Sequence, residues 1–127
     1  VSHPFDARSG PILVDAEVTG PVRSMTVTLI LDTGATTSLL KDSVLIALGF
    51  DLSIVTDRVQ MTTGSAVAGV PRVTLTRLTA IGQHRIGLPV LAYNLHASVS
   101  VSGLLGLDFF RGQALTIDFR AGDLSIS

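Results

Sequence analysis

The sequence predicts an all-β domain with one or two short helices, and three observations carry that expectation. Val, Ile, Leu and Thr recur in short runs. Gly and Pro separate those runs, as they do where hairpins turn. Apolar residues at clear helical spacing occur in one short segment only, around residues 38–50.

Residues 12–18, ILVDAEV, and residues 25–31, MTVTLIL, read as two strands joined at Thr19-Gly20-Pro21, the second running straight into Asp32. In SLLKDSVLIALGF, residues 38–50, the residues Leu39, Leu40, Val44, Leu45 and Leu48 fall on one helical face, and Gly49 stands where a helix is capped. Residues 54–82 read as two strands joined through Thr62-Thr63-Gly64-Ser65, a small polar tip suited to a mobile hairpin. Residues 84–93, HRIGLPVLAY, form a further strand broken by Gly87 and Pro89. Residues 98–112, SVSVSGLLGLDFFRG, read as a strand, a Gly-flanked apolar turn and a helical turn. A last hairpin takes residues 114–119 and 124–127. The order of strand, Gly turn, strand and apolar-apolar-Gly occurs twice, as in a barrel of two related halves or in any hairpin-rich chain.

Composition narrows the function. A chain of 127 residues fits a single domain, residues 1–127, with a real core but little room for a deep cleft of its own. With 46% apolar and 15% charged residues, its surface is thinly charged and leaves space for a subunit interface. The net charge is −1 and the nine basic residues are scattered singly, which argues against a nucleic-acid partner. Without Cys, disulfides, zinc thiolates and thiol nucleophiles are excluded. No apolar run approaches the roughly 18 residues that span a bilayer, and the first ten lack the pattern of a signal peptide. A soluble domain of the cytoplasm or periplasm is expected, and a start at Val1 rather than Met suggests release from a longer precursor.

The candidate for chemistry is Asp32, a lone acid inside LILDTGATTSLL, residues 29–40. An unpaired carboxylate in a stretch built for burial costs several kcal/mol or loses its charge, as a rough rule. Gly34 permits a tight turn whose N–H groups point back at the carboxylate, and Thr33 sets a hydroxyl beside it. A plain turn acid, bonded to the backbone two residues on, fits the isolated triplet equally. Other chemistries fail on spacing. His3, His84 and His96 stand too far apart for a metal site and read as surface or packing residues. There is no Gly-x-Ser-x-Gly elbow, Ser65 has no evident His partner, and no Gly-rich stretch leads into Lys-Ser or Lys-Thr. Phe109 and Phe110 read as core and interface.

Taken together, residues 29–40, the hairpin around residues 61–69 and GLLGLDFF, residues 103–110, resemble the retropepsin-like aspartic proteases. Ile30-Leu31-Asp32-Thr33-Gly34-Ala35 satisfies that family's signature, and Leu104-Leu105-Gly106 matches its later apolar-apolar-Gly element. The resemblance covers roughly residues 12–110 and is nearer to bacterial than to retroviral members. It implies a small closed β barrel that cuts peptide bonds with a pair of carboxylates and needs no cofactor or metal. Because the chain has one Asp-Thr-Gly, the second acid would be Asp32 of a second copy, so a homodimer is implied. Thr33 would then bond across the twofold axis, Gly34 would leave room for substrate backbone, and Thr63, Gly64 and Ser65 would form a flap over an extended peptide. Thr36 and Thr37 stand where retroviral members often carry acids, and Leu107-Asp108 where they carry a basic residue, so those ion pairs do not transfer. The alternative expectation is a catalytically silent dimeric peptide-binding module on the same fold.

Overall fold

A computed structural model describes residues 2–8, 10–96 and 100–127. In chain order the elements are β1 (Ser2–Pro4), β2 (Leu13–Thr19), β3 (Ser24–Leu31), β4 (Leu39–Leu40), α1 (Asp42–Leu48), β5 (Arg58–Thr63), β6 (Ala66–Ala80), β7 (Gln83–Ala92), β8 (Gly103–Leu105), a 3₁₀ turn (Leu107–Phe110), β9 (Leu115–Asp118) and β10 (Asp123–Ile126). The segment 97–99, where the first part of a strand was expected, lies outside the described residues, as does Val1.

Strict alternation builds the barrel. In β2, Val14, Ala16 and Val18 point inward while Leu13, Asp15 and Glu17 face out, and in β3 the inward set is Val27, Leu29 and Leu31. Six strands pair in the order β2-β3-β8-β4-β7-β6, and β6 returns to β2 through Ala80↔Ala16 to Arg77↔Thr19. The mixed sheet thus closes on itself and leaves no barrel strand as a free edge. Its interior is filled by Leu29, Leu45, Leu48, Leu75, Leu78, Leu105 and Phe109 among others. Outside it, β1 pairs with β10 and β10 with β9 in a separate three-stranded sheet. Among the described residues no helix is long and apolar enough to cross a membrane.

The two halves repeat one order: β2, β3, β4, α1 and then β6, β7, β8, 3₁₀ turn. Each half donates its short strand to the other. Thus β8 runs parallel to β3, β4 runs parallel to β7, and β4 and β8 pair antiparallel between them.

Three expected local structures differ. Leu39 and Leu40 are strand β4 rather than the start of a helix, because each finds a partner in β8 and in β7 and both are buried there. The helix starts at Asp42 and ends as expected at Gly49, whose φ of 108° lets its N–H reach the Ile46 carbonyl. The apolar turn expected at Gly103-Leu104-Leu105 is instead strand β8, held between β3 and β4. Finally β7 is continuous: the ladder with β6 resumes on either side of Gly87, and Pro89 keeps register with Thr74 where β4 does not reach.

The central crossing is close-packed backbone. A Cβ on Gly103 would overlap the Leu39 carbonyl oxygen, so β4 and β8 pair at this distance only because residue 103 has no side chain. Gly103→Ala is expected to destabilise the fold by about 1–3 kcal/mol in a urea titration. The control is Gly69→Ala, whose Cβ would meet nothing within 4 Å; a change within about 0.5 kcal/mol is expected there.

Candidate active site

Strand β3 carries buried Leu29 and Leu31 into the barrel and emerges at Asp32, which is half-buried. The chain must then reverse to enter β4, because β3 and β4 both pair with β8 but in opposite senses. Its turn is fixed by four hydrogen bonds, three between backbone groups and one from backbone to the Asp32 side chain. The Asp32 N–H donates to the Leu105 carbonyl at 2.9 Å, Ala35 N–H to the Asp32 carbonyl at 3.1 Å, Leu107 N–H to the Ala35 carbonyl at 2.8 Å, and Gly34 N–H to Asp32 Oδ1 at 2.9 Å. The last of these orients the carboxylate. A purely structural turn acid makes the same bond, so the surroundings of Asp32 must separate the two roles.

Those surroundings are a groove of about 430 Å³. Its floor is Asp32, Gly34, Ala35, Thr36 and Thr37; Leu39, Leu91 and Leu104 form an apolar wall; Gln60, Met61 and Thr62 of β5 close the other side. Asp32 is the one acid or base among these lining residues. A carboxylate facing an otherwise neutral, partly apolar groove is placed to meet a ligand rather than a cation of its own chain.

Of the residues singled out from sequence, Asp32, Gly34, Ala35 and Leu104 line this groove, and Thr33 is exposed beside them. Leu105 and Gly106 lie buried behind the turn. Gly106 is required there, since a Cβ would come within 2.6 Å of the Ala35 carbonyl oxygen. Gly64 and Ser65 form the exposed tip of the β5–β6 hairpin, beyond the residues that line the groove, and Thr63 pairs with Ala66 at its neck. His3, His84 and His96 sit in β1, in β7 and after β7, and among the described residues no group of three His, Cys, Asp or Glu gathers around one point. Phe109 and Phe110 are buried, edge to face at 5.2 Å.

Sequence reasoning set Met61 and Thr62 in the expected hairpin without giving them a place on the groove, and it missed Gln60 as well as Ser38 with Asp108. Ser38 is 1% exposed. Its N–H donates to Asp108 Oδ2 at 2.9 Å, its hydroxyl donates to Asp108 Oδ1 at 2.7 Å, and its Oγ accepts from Gly106 N–H at 2.9 Å. The 3₁₀ turn that carries Asp108 is steadied on its far side by Arg85, which donates to the Phe109 carbonyl at 2.9 Å and lies over the Phe109 ring.

The hairpin that walls the groove changes partner at one place. Up to Pro71, β6 pairs with β5 alone, and from Arg72 it belongs to the barrel through β7. At this change of partner Arg72 forms a forked pair with Asp57, Nε to Oδ2 at 2.9 Å and Nη2 to Oδ1 at 3.1 Å, and its N–H donates to the Asp57 carbonyl. Arg72, chiefly through these hydrogen bonds, holds the Asp57 carboxyl below the usual carboxylate range, and Asp57 raises Arg72 in turn.

Comparison with known proteins gives two findings. Residues 14–109 match the model of a family described as aspartyl protease. The fold is similar to the crystal structure of a retropepsin-like aspartic protease from Rickettsia conorii, with a TM-score of 0.75 and 20% sequence identity over 99% of this chain and 89% of the other. No curated protein sequence matches the chain.

Because the folded Asp57 titrates below its unfolded value, the Arg72–Asp57 pair contributes fully above the ordinary carboxylate range and is lost only as pH falls through the lowered value. Carboxyl NMR should therefore place the Asp57 midpoint lower in the parent than in Arg72→Ala. Amide protection factors at residues 58–70, with the intrinsic pH dependence of exchange divided out, should stay constant from neutral to mildly acidic pH in the parent and be lower throughout in the variant.

Proposed function

This chain belongs to the aspartyl protease family and has the retropepsin-like fold, and we propose that it is an aspartic endopeptidase whose dyad is Asp32 from each of two copies. The observation that carries this reading is the Asp32 carboxylate, fixed by Gly34 N–H at the end of a buried strand and facing a groove with no other acid or base. All of residues 1–127 are taken as one such domain.

Hydrolysis of an amide without metal or covalent intermediate needs a base for the attacking water and an acid for the carbonyl oxygen. Two facing carboxylates that share one proton supply both, which is the established behaviour of aspartic protease dyads. The ionised Asp32 takes a proton from water as its oxygen attacks the peptide carbonyl, and the protonated Asp32 of the second copy gives its proton to the carbonyl oxygen. The tetrahedral diol then collapses: the first Asp32 carboxyl returns its proton to the departing nitrogen, the now ionised Asp32 of the second copy takes a proton from one diol hydroxyl as its oxygen reforms the carbonyl, and the C–N bond breaks, which restores the starting dyad. Thr33 would bond across the twofold axis, and Gly34, without a side chain, would leave room for substrate backbone. An extended peptide lies in the groove against β5, an edge strand paired on one side by β6, whose free edge offers backbone donors and acceptors. The β5–β6 hairpin with its tip at Thr63, Gly64 and Ser65 serves as the flap, and the Arg72–Asp57 pair is its hinge.

A silent peptide-binding dimer is the competing reading, favoured by the same Gly34 to Asp32 bond, which a structural turn would also make. Cleavage of a peptide library, read by mass spectrometry, separates the two. Asp32→Asn is expected to lower the rate by about three orders of magnitude while keeping the fold. The rate per chain should rise with protein concentration in step with dimer formation measured by sedimentation. Adding Asp32→Asn chains to the parent should suppress activity through mixed dimers. Undiminished cleavage by Asp32→Asn, or full activity in a monomer, would overturn the proposal.

A further inference from the structure

Asp108 is a half-buried carboxylate that the peptide-cutting reading does not use, yet three donors converge on it: the N–H and O–H of Ser38 and the N–H of Phe109. The arrangement has only one consistent proton order. Gly106 N–H can only donate, an ionised Asp108 can only accept, and so the Ser38 hydroxyl must take the first bond and give the second. An amide in place of the carboxylate would keep an acceptor for one donor of Ser38 but turn its NH2 group toward the other. Asn is therefore no substitute at this position, although it has nearly the same shape.

We propose that Asp108 is a positioning residue for Asp32. The stretch from Leu105 to Asp108 pins the segment between Asp32 and Ser38 at its start by Leu105, in its middle by Leu107, and at its end by Asp108 through Ser38, whose carbonyl also accepts from Leu91 N–H at 3.1 Å. The first two pins are single backbone bonds. The third is charge-assisted, forked and buried at Ser38, so it is the strongest of the three. With its far end held, the turn has one path back to β4, and the Gly34 N–H stays aimed at Asp32 Oδ1. Without Asp108 the Ser38 N–H and hydroxyl lose their acceptor and the carbonyl bond from Leu91 N–H is left to hold the residue from the β7 side, so the turn could relax outward and the carboxylate would lose its fixed direction. In a twofold dyad that error enters from both copies at once, so the distance between the two carboxyls is sensitive to it. This role rests on the endopeptidase reading, but its first consequence, the order of the Asp32 turn, does not.

The test is amide hydrogen exchange on the whole protein, combined with steady-state kinetics, for Asp108→Asn and for Ser38→Ala. In Asp108→Asn, amides 34–38 and 107 should exchange about tenfold faster while those of β2, β6 and β7 keep their parent rates, the loss expected for one charge-assisted bond. The kcat should fall by about tenfold with KM held within about threefold, because substrate contacts are retained and the alignment of the reacting groups is not. Ser38→Ala keeps the backbone donor at residue 38 but removes the hydroxyl relay. It should give the same local pattern at smaller amplitude, and it carries the test if Asp108→Asn does not fold. Exchange that quickens evenly over the barrel, with kcat per folded molecule unchanged, would reduce Asp108 to a fold-holding residue and overturn the proposal, as would parent-like exchange at residues 34–38. If the parent cuts no peptide, the endopeptidase reading falls, while the exchange pattern still decides this one.

Discussion

Where β8 passes beneath the end of β4, two backbones lie in direct contact, and Gly103 and Gly106 are what permit it: a methyl group on either would run into a carbonyl oxygen, of Leu39 or of Ala35. Most of the architecture descends from this crossing. Because β8 comes so near, β4 can pair with it on one side and with β7 on the other, which closes the barrel with a strand of only two residues. The same proximity puts Leu105 and Leu107 within reach of the Asp32 turn. The core and the candidate site are consequently built on the same crossing.

Around that rigid crossing the molecule is uneven. The barrel half of β6 has partners on both sides along residues 77–80, whereas its first six residues pair with β5 only, and residues 64–69 are exposed throughout. Few buried apolar groups support this outer hairpin, so its local opening costs far less than unfolding the barrel. A site that holds an acid fixed yet admits a long polymer benefits from that division, with order at Asp32 and compliance at the wall that faces it. The forked Arg72–Asp57 pair stands at the boundary and limits the compliance to one side of it.

Much of this was legible in the sequence, for reasons that also mark where legibility ended. Alternation in residues 12–31 exposed the first hairpin because a half-buried strand writes its period locally. Asp32 was conspicuous because a charge among Leu and Ile demands an account. The helix cap at Gly49 followed from the left-handed backbone that a glycine accepts. By contrast β4 and β8 owe their extended form to partners some fifty to seventy residues away, and nothing in Leu39-Leu40 or Leu104-Leu105 announces them. The face of β5 that lines the groove depends on how the hairpin lies over the barrel, so Gln60, Met61 and Thr62 stayed hidden. Ser38 alone left a usable signal. A hydroxyl in the apolar run after the turn, if buried, must have a partner, and that question leads to Asp108.

The internal repeat bears on why a single chain does not complete its own pair of acids. Asp32 follows β3 as Tyr93 follows β7, and the backbone treats them alike: Asp32 N–H donates to Leu105 and Tyr93 N–H to Leu40, each in the short strand of the other half. Geometry at the second position would suit another strand-end acid, but the chemistry there differs. Tyr93 is followed by Asn94, whose side chain accepts the Asp42 N–H at 2.9 Å and so caps the start of α1. The second turn is thus committed to capping the start of a helix, and the repeat within the chain reproduces the scaffold without the carboxylate. On the proposed reading, two acids would face each other on this scaffold only if the symmetry is applied again between chains, with each copy presenting, of its two related strand-end turns, the one that carries an aspartate.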